Sequence, residues 1–249
     1  MKRIGTTGLI CIALALITTG TAEAQIPDEF TNLEVLPKEI SKPELISIMR
    51  NFAGGLGVRC SHCHVGPDNL AGMDFATDEL AAKKTAREMM RMVNTINSGT
   101  LAKIETGRET RAEVSCRTCH RGLTLPLPID SILETRIAED GLEKAIATYR
   151  EMRTEHYGSD AYNFSTTPLN SLAERLARAE QIPEAVALLQ LNLEYQPDDA
   201  YTHLLLGQIH AAAGEIDKAI ASTKEALRLD PENAFAKRVL QRLAPDKEE

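Results

Sequence analysis

Two short stretches hold four of the five cysteines: Cys60-Ser61-His62-Cys63-His64 and Cys116-Arg117-Thr118-Cys119-His120. Both read C-x-x-C-H, the attachment signature of c-type haem. Two thiols three positions apart can each form a thioether to a porphyrin vinyl group, and the next imidazole is then held beneath the iron as its proximal ligand. One such motif is expected by chance on the order of 0.002 times in a chain with these Cys and His frequencies, so two are not coincidence. Zinc ribbons also use C-x₂-C pairs, yet they do not call for a His directly after each pair. A redox dithiol is the other chemistry open to a C-x-x-C pair. In an oxidising compartment spare thiols would pair as disulfides; here every cysteine but Cys11 is used. The expectation is two covalent haems on Cys60, Cys63, Cys116 and Cys119, with His64 and His120 as proximal ligands.

Each iron then needs a sixth ligand, or an open site if it is to do catalysis. The histidines that remain are His62, His156, His203 and His210, and His62 lies too close along the chain to reach over its own haem. Methionine is better supplied: Met49, Met73, Met89, Met90, Met92 and Met152. The stretch Ser41-Lys42-Pro43-Glu44 combines a capping box with Pro near the first turn. A helix therefore starts there, carries Leu45, Ile48, Met49 and Phe52 on one face and stops at Gly54-Gly55. A second helix is expected from Thr77 through Ala86, Met89, Met92, Val93 and Ile96, ending before Gly99. Methionine at helical spacing is ordinarily core packing, but two haems in need of ligands favour one Met from each helix.

A Met-bearing helix followed by Leu56-Gly57-Val58-Arg59-Cys60-Ser61-His62-Cys63-His64 resembles the cytochrome subunit of photosynthetic reaction centres, a family that repeats a unit of helix, turn and C-x-x-C-H. The stretch from Arg87 to Asn97 followed by Val114-Ser115-Cys116-Arg117-Thr118-Cys119-His120-Arg121-Gly122 resembles a second unit. The likeness covers about residues 38–128. It implies Met49 and Met89 as distal iron ligands, with Met92 as the alternate for the second haem; His156 and Met73 are the next candidates. The family's best-known members carry four haems, whereas this chain has attachment motifs for two, and it adds an unrelated C-terminal region.

The start of the chain reads as an export signal. Lys2 and Arg3 precede an apolar run from about Gly8 to Ile17, and Ala22-Glu23-Ala24 is an A-x-A cleavage pattern, leaving Gln25 as the expected mature N-terminus. The apolar run is about half the ~20 residues of a spanning helix. Cys11 follows the bulky Ile10, where lipoprotein processing needs a small residue, so it is expected to leave with the signal. No other segment suits a membrane span, and a periplasmic location follows. The net charge of −8 over 249 residues argues against a nucleic-acid partner, which would need a basic footprint. Residues 25–128 balance at 13 basic and 13 acidic, while residues 129–249 hold 13 basic and 22 acidic. That shift, with Pro126 and Pro128, marks the expected boundary between a dihaem domain (25–128) and a repeat domain (129–249).

In the second half Pro197 and Pro231 lie 34 residues apart, the tetratricopeptide period. Leu206, Gly207, His210, Ala219, Thr223 and Ala226 fall on the positions of one repeat. Leu172, Ala173, Leu176, Ala185, Leu189 and Asn192 fall on those of the repeat before it. Gly207 and Ala219 are the small residues that let the two helices of a repeat approach. Gly141 to Tyr157 reads as a further helix, followed by a loop through 159–167, and the tail from Pro245 should fray. His203 and His210, seven apart, read as surface or groove residues. Such repeats dock another polypeptide.

The fold class is all-α: a helical c-type dihaem domain followed by a short α-α repeat solenoid. Aromatics at 4% with no Trp fit a core of Leu, Ile, Ala and Met. The function expected is electron carriage between redox protein partners, with no enzymatic turnover. A dihaem peroxidase or a repeat scaffold with structural haem are the competing readings, and electron donation to a reaction centre stays open without being implied.

Overall fold

The computed structural model describes residues 26–105, 107 and 111–244. The expected export signal, with Cys11, and the tail from Pro245 lie outside them. The described residues form ten α-helices and no strand, as the composition predicts. No helix among them is long and apolar enough to cross a membrane. The chain divides into two compact units, one comprising the described residues up to Ala53 and from Val58 to Glu113, the other Gly54–Gly57 with Val114–Glu249.

The first unit holds most of α1 (Lys42–Leu56) and all of α2 (Ala81–Asn94). Ser41 caps α1 through a long hydrogen bond from the Glu44 N–H, 3.4 Å. Leu45 is buried, while Ile48, Met49 and Phe52 are half-buried. The helix does not stop at Gly54-Gly55 as expected; it runs through both and ends before Gly57, whose φ of +68° closes it.

The start of α2 also differs from expectation. The four residues Thr77–Leu80 stay out of the helix because their polar groups are already committed. Asp74 Oδ1 accepts the N–H groups of Ala76 and Thr77 at 2.8 and 2.9 Å. Asp78 is held by both terminal nitrogens of Arg87, at 2.8 and 2.9 Å. Beyond Asn94 the coil widens into a π-helix over Thr95–Thr100, so it continues past Gly99. Hydroxyls there bond back along the coil, Ser98 to the Asn94 carbonyl at 2.7 Å, a pattern that loosens a helix.

In the second unit α3 (Cys116–His120) is followed by seven further helices. These are α4 (Ile129–Asp140), α5 (Leu142–His156), α6 (Thr166–Arg178), α7 (Ile182–Tyr195), α8 (Ala200–Ala212), α9 (Ile216–Leu229) and α10 (Ala234–Leu243). The helix α4 was not expected. Pro128 precedes it as the N-cap residue, a position where the missing N–H costs nothing, and Ile129 and Leu133 are buried. Helices α6–α7 and α8–α9 are the two repeats, and all twelve positions inferred from the 34-residue period are buried. A Cβ on Gly207 would lie 2.5 Å from Thr223 Oγ1 and 3.1 Å from the Ala219 carbonyl, the close approach the small residues were expected to allow. The neighbouring repeats share a buried polar chain: Asn192 donates to Asn170 Oδ1 at 2.9 Å, and Thr202 donates to the same oxygen at 3.0 Å.

His210 departs from its reading as a surface or groove residue. It is 6% exposed, and its Nδ1 meets the Glu215 carboxylate at 2.5 Å. That carboxylate, drawn below its usual range by Lys218 and then by His210, secures the turn between α8 and α9. His203 is half-buried, its Nε2 2.8 Å from the Pro197 carbonyl.

The Gly55–Gly57 turn packs directly on the residues after the second attachment motif. The Gly122 N–H donates to the Gly55 carbonyl at 2.9 Å, and a Cβ on Gly57 would fall 2.1 Å from the Gly122 carbonyl oxygen. Gly57→Ala is therefore expected to destabilise the fold by roughly 1–3 kcal/mol from the left-handed backbone alone, and by more from the clash. Thermal denaturation checks this, with Gly54→Ala as the control, since a Cβ there meets nothing within 4 Å.

Candidate haem attachment sites

In the first motif, Cys60–His62 form one 3₁₀ turn. The N–H groups of Cys63 and His64 return to the Cys60 carbonyl at 3.2 and 3.0 Å. That tight turn brings the ends of C-x-x-C-H together. Downstream, the Asp74 N–H donates to the Val65 carbonyl at 2.7 Å and closes a loop. The loop puts the Phe75 ring edge-on to His64, with centroids 5.1 Å apart. His64 is half-buried and His62 is exposed.

Burial, and then the Lys83 ammonium, lower the His64 pKa, while the Phe75 backbone and the Asp74 carboxylate pull the other way. The neutral imidazole so favoured is the form that can ligate iron. Its Nδ1 is buried without a hydrogen-bond partner in the protein.

Lys83 is itself fixed. Its ammonium donates to the carbonyls of Phe75, Ala76 and Thr77, each at 2.9 Å, and pairs with Asp78 at 3.3 Å. Arg87, buried on α2, ion-pairs with Asp78 and with Glu34 at 3.1 Å. Asn32 donates to Asp78 at 2.9 Å. Hydrogen bonds from Arg87 above all, and then from Lys83, hold Asp78 well below the usual carboxylate range. This cluster anchors the segment after the first motif to α2. The sequence reading missed it, although Asp78, Lys83 and Arg87 at spacings of five and four are a legible sign.

The second motif is the single helical turn α3. Ser115 precedes it, and the Ser115 N–H donates to Thr118 Oγ1 at 3.0 Å. Arg121 and Gly122, with φ of 50° and 90°, turn the chain away directly after His120. That reversal brings the Leu123 carbonyl to 2.8 Å from His120 Nδ1. A carbonyl can only accept, so Nδ1 carries the proton and Nε2 keeps its lone pair free. An imidazole oriented through its outer nitrogen is how a metal-ligating histidine is prepared.

Among the described residues no two of the four motif cysteines form a disulfide. Burial raises the pKa of Cys63 and Cys116, opposed at Cys63 by Lys83. Among the described residues no group of three or more Cys, His, Asp or Glu side chains gathers to hold a bare metal ion. Two thiols and an imidazole on each of two short turns are a donor set that suits covalent haem.

The candidate distal methionines stand differently. Met49 is half-buried on α1. Met89 and Met92 on α2 are 39% and 45% exposed, so core packing does not account for them; Met90 is half-buried. Met89 and Met92 belong to the first compact unit and Cys116–His120 to the second. Of the fallback candidates, Met73 is buried, its backbone so close to Gly66 that a Cβ there would lie 2.7 Å from Met73 Cα. His156 stacks edge-on to Tyr162 at 5.2 Å.

On the repeats, a depression of about 320 Å³ lies between α6 and α8, lined by Glu174, Arg178, Tyr201, Leu205 and Gln208 among others. The Tyr201 hydroxyl donates to Glu174 there at 2.8 Å.

Residues 13–193 match the family described as photosynthetic reaction centre cytochrome C subunit, and residues 200–233 match a tetratricopeptide repeat. Among curated proteins, cytochrome c-554 of Chloroflexus aurantiacus is 30% identical over 105 residues, 42% of this chain. The alignment spans 23% of that relative's length. Among solved structures, MamA aligns with 47% of this chain and 64% of its own, at 16% identity and a TM-score of 0.34. The tetratricopeptide domain of Arabidopsis OM64 aligns with 46% of this chain and 90% of its own, at 18% identity and a TM-score of 0.32.

Proposed function

Because the chain belongs to the family of the photosynthetic reaction centre cytochrome c subunit, we propose that it is a periplasmic dihaem c-type cytochrome that carries electrons between redox proteins, with its helical repeats docking another polypeptide. The observation that carries this reading is the pair of C-x-x-C-H turns, both inside the family-matched span. A bound haem supplies a one-electron iron couple. The chain does the rest. Cys60 and Cys63 hold one porphyrin, and Cys116 and Cys119 hold the other. His64 and His120 serve as proximal ligands, the latter kept in the correct tautomer by the Leu123 carbonyl.

Met49 for the first iron and Met89, or Met92 in its place, for the second complete six-coordination. The exposure of Met89 and Met92 favours that role over core packing. A thioether in the sixth position raises the potential and leaves no open site for peroxide. The 25–128 and 129–249 division remains the proposed domain organisation, with the signal ahead of Gln25 directing export. The partner of the repeats is expected to be basic or neutral, given the acidic balance of residues 129–249.

Redox titration of the holoprotein, followed by its spectrum, tests the proposal. Two one-electron waves, no carbon monoxide adduct of the reduced form and no peroxide turnover are expected. A reduced iron that binds carbon monoxide, together with peroxide turnover, would replace the carrier with the peroxidase reading.

A further inference from the structure

A second site of quite different chemistry lies in the repeat-bearing unit, where the end of α5, the loop after it and the end of α7 enclose a cleft of about 480 Å³. Arg153 is at its centre. The guanidinium carbon sits 4.1 Å from the ring centroid of Tyr157 and 4.3 Å from that of Tyr195, with Phe164 at 5.6 Å. Stacking of this kind covers the flat faces of a guanidinium and leaves its edge for an acceptor.

That edge is only partly satisfied. Arg153 Nη1 is buried without a hydrogen-bond partner, and Arg153 makes no ion pair among the described residues. Glu194 pairs instead with Arg150, at 2.7 Å. The Tyr149 hydroxyl is buried behind the cleft, outside its lining. Burial raises its pKa, opposed by the charge of Arg153 and by a hydrogen bond from the guanidinium. The buried Arg153 Nη1 thus lacks an acceptor, a costly state for a charged polar group.

We propose that this cleft binds a small carboxylate with a flat apolar body, its oxygens accepting from Arg153 and its body lying against Tyr157, Tyr162 and Phe164. A guanidinium fork matches a planar carboxylate, and the charge-assisted pair is stronger than a neutral one. Tyr157 is 66% exposed and is the ring that turns aside to admit the ligand. The cleft has the volume of a small-molecule site. Its setting favours a single carboxylate over an acidic polypeptide, because residues 129–249 carry 22 acidic and 13 basic side chains and repel a polyanion.

Calorimetric titration of the full-length holoprotein with benzoate, benzylamine and inorganic phosphate tests this. Saturable binding of benzoate is expected, with none of benzylamine and markedly weaker binding of phosphate. Arg153→Met is expected to weaken benzoate binding by about tenfold or more, with haem content and helicity unchanged. Tyr157→Ala, at an exposed position, provides the second readout should Arg153→Met fail to fold, and it is expected to weaken benzoate binding several-fold. Absence of saturable benzoate binding would overturn the proposal. So would benzoate affinity that survives either substitution, or phosphate binding as tight as benzoate.

Discussion

Replacing Cys116 and Cys119 by alanine is expected to remove one covalent haem and leave the other. Thioether bonds survive denaturation, so the mass of the unfolded polypeptide counts haems directly. Protein matured in a host with cytochrome c assembly machinery should carry two additions, and the double variant one. The converse pair, Cys60→Ala with Cys63→Ala, should also leave one. The reasoning rests on two separate turns, each closed by its own hydrogen bonds: Cys63 and His64 to Cys60 in the first, the Ser115–Thr118 bond in the second. Loss of both haems from either double variant would show that the two attachments depend on each other. A wild-type protein with one haem, or with zinc instead, would remove the basis of the proposed function.

Met49→Ala is expected to open the first iron to carbon monoxide and to lower its potential by on the order of 0.1 V, a fraction of the ~0.8 V range over which axial ligands set haem potentials. Met49 stands alone on α1, with no second methionine within a turn of it, so no neighbour can take its place. On α2 the case differs. Met92 lies one turn beyond Met89, so Met89→Ala alone is expected to be partly rescued, whereas Met89→Ala with Met92→Ala is not. The near-infrared charge-transfer band between methionine and oxidised iron is the readout. A band and potentials unchanged in all these variants would return the methionines to packing and direct the search to His156 and Met73.

What was legible beforehand were features that chemistry or period imposes along the chain. The C-x-x-C-H spacing is set by the porphyrin it must reach, and each motif forms a local turn. The 34-residue period placed twelve core positions, and every one is buried, because a repeat that stacks on its copies must present the same face each time. Gly207 and Ala219 were readable for the same reason.

Helix ends were less legible. Gly54 and Gly55 are poor helix formers, and propensity alone would stop α1 there. The helix passes through them because its last turn packs on the backbone around Cys116 and Gly122, a Cβ on Gly55 lying in contact with Arg117 N at 3.4 Å. Thr77 has the side chain of a helix start, yet Asp78 is drawn to Arg87, Lys83 and Asn32, and α2 begins only at Ala81.

By itself, then, the sequence determined the attachment chemistry, the all-α class and the repeat, since each is written in residue type and local spacing. Only the tertiary structure decided which charges and polar groups lose water. It buried His210 against Glu215, oriented His120 through the Leu123 carbonyl and enclosed Arg153 between two tyrosines with its Nη1 left without an acceptor. The physical reason is that desolvation depends on what packs around a group from distant parts of the chain, and no local pattern encodes that.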